Sequence, residues 1–370
     1  MNEPAQIRIG VMQRVLPSYR VPFFDALANE FDSNVSVFAG EPRKREALTG
    51  GVVPQTAKMW WGKNHHLFEG PFYLCWQSGL VEWLEDWQPR VLIMEANPRY
   101  LLSTSAMRWI RKKNGRLIGW GLGSPNTQGG LSVLRMSVRK QFIRKFDALI
   151  TYSSQGAREY EALGFPGDRI FMAPNAVAPR PTRPMPERPL VFRGDKPVVV
   201  FVGRLQERKR VDTLIRACAT LPLDVQPLLK IIGDGPRRTV LEKLANEIYP
   251  QARFYGAQHG AELGQHLRSA DLFIMPGTGG LAVQEAMSYG LPVIVGVGDG
   301  TQEDLVRDEN GWLLADDSVQ ALKDTLASAL LDITILRMKG AASYRIVSQE
   351  INLENMVAAF SRAIEKVMED

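Results

Sequence analysis

Residues Asp271–Val297 read DLFIMPGTGGLAVQEAMSYGLPVIVGV, and this stretch decides the fold. A short apolar run closes at Pro276, and the turn Gly277-Thr278-Gly279-Gly280 opens a helix at Leu281. A second apolar run follows Gly290-Leu291-Pro292. Strand, glycine turn, helix and strand in this order make a βαβ unit of a parallel sheet. The free amides of Gly280, Leu281 and Ala282 suit a phosphate, because the first amides of a helix lack intrahelical partners. Glu285, one turn further on, is placed to accept two hydrogen bonds from a ribose diol. It reads equally well as a glutamate that merely faces solvent.

Two neighbouring segments repeat the pattern. Val198–Val202 runs into Gly203-Arg204-Leu205-Gln206-Glu207-Arg208-Lys209-Arg210. Glycine lets the backbone approach a ligand, Arg204 offers a planar fork, and Lys209 adds a mobile charge at a helix start, which suits a diphosphate. A solvated basic turn is the plainer alternative. Leu228–Ile232 ends in Gly233-Asp234-Gly235-Pro236, a strand-to-helix turn with proline near the first helical position. Further strands are predicted at Arg253–Tyr255 and Trp312–Leu314. Helices are predicted at Val211–Leu221, Arg237–Ile248, Ala261–Ser269, Val319–Leu331 and Asn352–Met368.

Upstream, Pro174–Pro197 carries seven prolines in 24 residues, which predicts an extended, stiff connection between domains. Before it, short apolar runs at Ile7–Gln13, Val35–Ala39, Val91–Glu95, Arg116–Gly121 and Ala148–Ser153 alternate with helical stretches. They predict a second doubly wound sheet. Two such sheets facing one another would bind ligands in a cleft at the carboxyl ends of their strands.

Composition agrees with two soluble domains. The 370 residues exceed one ordinary core, and 45% apolar with 23% charged content excludes a disordered or fibrous chain. Two cysteines, Cys75 and Cys218, exclude a disulfide framework and fit a reducing compartment. No apolar run is long enough to span a membrane, and Met1–Gly10 lacks the order of a signal peptide. A cytoplasmic chain is expected. The net charge of +5 hides a split: residues 1–185 hold 24 Lys and Arg against 15 Asp and Glu, and the remainder 21 against 25. A polyanion or anionic surface is therefore expected at the first half only.

In their order and spacing, Gly-Arg-Leu-x3-Lys, Gly-Asp-Gly-Pro, Ala-Asp-Leu-Phe-Ile-x-Pro and Glu-Ala-Met-x-x-Gly-Leu-Pro-Val-Ile resemble glycosyltransferase family four. These are retaining, nucleotide-sugar-dependent enzymes of GT-B fold, built from two Rossmann-like domains. The first half matches more loosely, through Ser153-Ser154 and Pro174-Asn175-Ala176-Val177. Its opening Leu16–Phe24 is similar to bacterial surface-polysaccharide transferases. The resemblance implies an acceptor domain over residues 1–178, a linker over 179–197, a donor domain over 198–350, and a helix over 351–370 returning to the first domain. It implies that Arg204 and Lys209 hold the donor pyrophosphate and support catalysis, with Gly203 beside them. Glu285 would take the ribose, the amides of Gly280, Leu281 and Ala282 the distal phosphate, and Gly233, Asp234 and Gly235 would shape the pocket. Donors are expected to be UDP- or GDP-sugars, and acceptors glycans or lipid-linked precursors. No cofactor, metal or nucleic acid is expected. A catalytically silent nucleotide-sugar or glycan-binding subunit is the alternative.

Two positions depart from the family pattern. Gly277 stands where relatives carry the first glutamate of Glu-x7-Glu, which predicts a roomier sugar pocket. Leu117–Gly123 lacks the histidine many relatives carry. Tyr19, Arg20 and Glu95, with Asp25, are acceptor candidates; Glu95 reads alternatively as a helix cap. His65-His66 reads as a loop pair. Leu131–Phe146 (LSVLRMSVRKQFIRKF) sets five cations against an apolar stripe of Leu131, Leu134, Val138, Phe142 and Phe146. It predicts either an anionic-membrane contact or a helix packed on its own sheet.

Overall fold

The computed structural model describes residues 7–43, 52–68, 73–101, 103–123, 132–176, 178–192, 194, 196–296, 298 and 301–369. The chain divides into two compact units, Met1–Val177 with Leu353–Asp370, and Ala178–Asn352.

In the first unit the strands are β1 (Ile9–Val15), β2 (Val35–Gly40), β3 (Lys58–Leu67), β4 (Leu74–Ser78), β5 (Val91–Glu95), β6 (Arg116–Gly121), β7 (Ala148–Thr151) and β8 (Ile170–Met172). They form one sheet in the order β4-β3-β2-β1-β5-β6-β7-β8, parallel except for the β3–β4 pair. The helices are α1 (Val21–Glu30), α2 (Leu80–Trp87), α3 (Ser103–Lys112), α4 (Ser132–Ile143) and α5 (Ser154–Ala162). Strands β1, β2, β5 and β7 are buried almost throughout, as parallel strands covered on both faces must be.

The second unit has β9 (Val198–Val202), α6 (Val211–Ala219), β10 (Leu228–Ile232), α7 (Arg238–Ile248), β11 (Ala252–Phe254), α8 (Gly260–Arg268), β12 (Leu272–Met275), α9 (Leu281–Ser288), β13 (Val293–Val295), α10 (Thr301–Leu305), β14 (Gly311–Leu313), α11 (Val319–Leu331) and α12 (Ile333–Gln349). Its all-parallel sheet runs β11-β10-β9-β12-β13-β14. That is the doubly wound order, with its reversal between β9 and β12. The last helix, α13 (Leu353–Glu369), packs on α1 and on β6, β7 and β8 of the first unit.

The proline-rich stretch is not a free connector. Arg188 donates to the carbonyls of Ala270 at 3.0 Å, Tyr289 at 2.7 Å and Leu267 at 3.0 Å, which fixes the segment on the second unit. The histidine pair lies on β3 rather than in a loop, where His65 stacks on Trp76 at 4.8 Å and His66 on Tyr73 at 5.8 Å. Alternation along β3 turns Trp60 toward the core and leaves Trp61 39% exposed.

Met356, Ala359, Phe360 and Ile364 of α13 are all buried. The Phe360 ring lies 4.7 Å from that of Phe23 and 4.9 Å from that of Trp120, both edge-on. Phe360→Ala is expected to destabilise the first unit by ~3–5 kcal/mol, the usual range for deleting a core phenylalanine. Calorimetry would record this as a lowered melting transition, and an unchanged trace would show that α13 contributes nothing to that core.

Candidate functional site

Three strand ends converge in the second unit. After β9 the backbone turns at Gly203, whose amide donates to Ile232 O at 2.9 Å, and Leu205 N donates to Asp234 O at 2.9 Å. The turn after β10 is thereby laced to the turn after β9. A Cβ on Gly233, whose φ is 139°, would sit 1.9 Å from Gly203 O, so only glycine fits. Asp234 folds back on its own turn, accepting from Gly235 N at 2.6 Å and pairing with Arg238 at 3.2 Å.

The turn after β12 locks against the same segment from the other side. Thr278 N donates to Arg208 O at 3.3 Å, Arg208 Nη1 to Thr278 Oγ1 at 2.9 Å, and Lys209 Nζ to Thr278 O at 2.6 Å. Lys209 is only 8% exposed. Burial, with Arg208 adding repulsion, pushes its pKa down to about 8. Arg204 stands exposed at the start of the same turn. Gly280 precedes α9, so the amides of Leu281 and Ala282 open that helix beside Lys209's partner turn. Glu285 is half-buried on α9; burial raises its pKa, and His259, ahead of α8, opposes the rise. Arg208 and Thr278 stand inside the two turns singled out in the sequence but carry no signal of their own there, and His259 stands in no motif. The assembly offers a buried cation, an exposed guanidinium, helix-start amides and a carboxylate along one sheet edge, which is chemistry for a diphosphate joined to a diol.

Gly277 does not open a roomier pocket. A Cβ there would lie 2.0 Å from Arg208 O and 2.8 Å from Lys209 Cα, so the place a side chain would take is filled by the neighbouring turn.

In the first unit, Arg20 donates to Gln13 Oε1 at 3.1 Å and to the Tyr152 hydroxyl at 2.5 Å, and its guanidinium lies 4.6 Å from the Trp120 ring centre. Tyr19 beside it is 37% exposed. Glu95 ends β5 and caps no helix: Tyr100's hydroxyl and the Arg14 amide bond to it, while burial drives its pKa up. Asp25 has a structural task, accepting from the amides of Gln55, Thr56 and Ala57 at 3.0, 2.7 and 3.2 Å. The basic stretch forms α4, with Leu131 outside the described residues. Its buried face is Phe142, Ile143 and Phe146, whereas Val138 is 50% exposed. That apolar face is used on the protein's own core.

Among the described residues no group of three or more His, Cys, Asp or Glu side chains is placed to hold a metal ion. No helix among them is long and apolar enough to cross a membrane.

Comparison with known proteins extends this geometry. The family model of glycosyl transferases group 1 matches residues 186–343. The GDP-mannose-dependent alpha-(1-6)-phosphatidylinositol monomannoside mannosyltransferase of Mycobacterium tuberculosis is 29% identical over 280 residues, 70% of each chain. A GDP-mannose-dependent alpha-mannosyltransferase of Corynebacterium glutamicum is 40% identical over 139 residues, 37% of this chain and 31% of that one. Among solved structures, HepE of Anabaena in complex with UDP superposes with a TM-score of 0.71 at 14% identity, covering 97% of this chain and 100% of its own. The second unit is thus matched by the glycosyl transferases group 1 model, and the chain as a whole is similar in fold to a GT-B glycosyltransferase.

Proposed function

We propose that this glycosyltransferase moves a sugar from a nucleoside diphosphate donor held by the second unit to a lipid-linked or surface-polysaccharide acceptor, with retention and without a metal. A GDP-sugar is favoured over a UDP-sugar, because relatives at 29% and 40% identity are named GDP-mannose-dependent. The observation that carries the reading is Lys209, a cation held in a buried place against the glycine turn that opens α9. A buried ammonium is costly without an anion, and a departing diphosphate supplies one. In a front-face displacement no protein nucleophile is required. Lys209, Arg204 and the α9 amides would neutralise the leaving group, and Glu285 would orient the ribose.

Peripheral attachment to an anionic membrane surface, on the cytoplasmic side, belongs to the same proposal. Its support is charge alone: Arg108, Arg111, Lys112, Arg144 and Lys145 line one groove of the first unit, with Arg111 paired to Asp147 at 2.8 Å. Each cation near an anionic leaflet contributes ~1 kcal/mol. Co-sedimentation with phosphatidylglycerol vesicles should weaken when Lys112, Arg144 and Lys145 are replaced by Gln. Equal binding to neutral vesicles would reject the attachment.

A thermal-shift panel of nucleotide sugars, followed by release of free sugar, tests the donor assignment. A shift without turnover under any acceptor condition would favour a silent binding subunit. Arg204→Ala and Lys209→Ala are each expected to lower kcat/KM by ~2–4 kcal/mol, roughly 30- to 1,000-fold. Unchanged turnover in both would remove them from the site.

The low pKa of Lys209 gives a pH signature. A bound diphosphate favours the charged lysine, so binding takes up a proton wherever the free site has lost it. Donor affinity should therefore hold below pH about 8 and fall as pH rises through it. Titration calorimetry of GDP between pH 6.5 and 9.5 would show the decline, and Lys209→Met should bind weakly at every pH without it.

A further inference from the structure

A groove of about 720 Å³ opens between α3 and α4 of the first unit. Thr104, Met107, Arg108 and Arg111 recur at three- and four-residue spacing and form the wall that α3 provides. Lys112 ends that helix, while Arg144 and Lys145 follow α4 on the other side. Arg111 ties the two walls, donating to Lys145 O at 2.9 Å and to the two carboxylate oxygens of Asp147 at 2.8 and 2.9 Å. Leu117 stands near the start of β6, and Arg144 and Lys145 just precede β7, so the cationic end of the groove lies toward the amino edge of the sheet. Substrates of open α/β sheets bind at the opposite, carboxyl edge.

Five cations line this groove, and Asp147 answers one of them. Both of its oxygens go to Arg111, and one also accepts from Leu117 N at 2.7 Å. Arg108, Lys112, Arg144 and Lys145 are exposed, and among the described residues their side chains make no hydrogen bond or ion pair. Cations at a helix carboxyl end offset the macrodipole, which accounts for Lys112, Arg144 and Lys145 taken singly. It does not account for Arg108, ahead of the last turn of α3, or for the enclosure of all four around one cavity. Like charges held together there repel one another, and a bound anion relieves them. Two guanidinium planes match the oxygens of a phosphate in pairs, and two ammonium groups add point charge.

The rest of the lining decides which phosphate. Met107 and Leu117 close the floor, and the methylene stems of the arginines and lysines supply apolar sides. No lining residue is aromatic, so a nucleic-acid base finds no surface on which to stack. The volume is that of a small-molecule site. A single amphiphile with an anionic head meets all of these conditions.

We infer that the groove is a one-to-one site for an anionic phospholipid. Arg108, Lys112, Arg144 and Lys145 bind the headgroup phosphate, and the first chain carbons lie along the side-chain stems. The inference rests on the membrane attachment proposed above and deepens it, since a defined lipid site takes the place of attraction spread over a surface.

The test titrates the full chain by calorimetry with dihexanoyl phosphatidylglycerol, kept below the concentration at which it forms micelles. Binding should saturate at one lipid per chain. It should be tighter by about ten-fold or more than for dihexanoyl phosphatidylcholine, whose head carries no net charge, or for glycerol phosphate, which has no chains. Arg108→Gln with Lys112→Gln on one wall, and Arg144→Gln with Lys145→Gln on the other, should each weaken it about ten-fold or more at an unchanged melting temperature. Lys63→Gln with Arg158→Gln removes the same charge from exposed positions outside the groove and should weaken nothing. Equal binding of glycerol phosphate, tighter binding of a thymidine decamer, or equal loss in all three double variants overturns the inference. Vesicle binding without soluble-lipid binding also overturns it, and leaves the attachment standing. Soluble-lipid binding without vesicle binding would count against the attachment and leave the lipid site standing.

Discussion

A Cβ atom at Gly233 would lie 1.9 Å from the carbonyl oxygen of Gly203, and one at Gly277 would lie 2.0 Å from that of Arg208. These two backbone approaches, one on each side of the turn after β9, hold the geometry of the second unit's strand ends. Adjacent parallel strands bring their carboxyl ends within reach, but only glycine lets the turns close on one another. Once closed, they leave the segment 203–210 no freedom to swing outward. Lys209 is consequently pressed under the Thr278 carbonyl, where it loses most of its water. The lowered pKa of the lysine therefore follows from backbone packing, since no acidic partner is needed to bring it there.

This part of the molecule was legible because its determinants are contiguous. Strand, glycine and helix start follow one another within a few residues at β9, β10 and β12, and periodicity reports each of them. Helix α12 was not legible. Its buried positions Leu336, Gly340, Ser343, Ile346 and Val347 recur at helical spacing, yet two of the five are small or polar. Gly340 is there because α12 approaches so closely that a Cβ would meet Gly290 O at 2.3 Å. Strands β3 and β4 were missed for another reason. Half-exposed aromatic and histidine residues stack across the pair, so no apolar run announces it. The stripe read along α4 failed at Val138, because Ile143 rather than Val138 faces the core.

The two units gather their polar groups by different means. In the second, backbone amides and glycine turns do most of the shaping, which explains why short motifs carry the family likeness there. In the first, the polar groups are side chains gathered from distant positions: Gln13 and Arg20, Glu95 and Tyr100, and Tyr152 come from three separate stretches of the chain. No spacing rule unites them, so single residues such as Glu95 were visible in the sequence while their grouping was not. Aromatic packing ties the group together, from Phe360 through Trp120 to the guanidinium of Arg20.

That chain of rings begins on α13, the last helix in the sequence, although the unit it completes begins near the first residue. On a ribosome, β1 to β8 emerge long before residues 353–369 do. Phe23 and Trp120 must wait for Phe360 while the whole second unit is being synthesised. Domains usually fold as they emerge, amino-terminal first. Here the order is inverted: the second unit can close its core earlier, and the nascent first unit keeps an open apolar seam until residues 353–369 have emerged. A chain released before that point would carry a finished second unit and an unfinished first one, a species prone to aggregate through that seam.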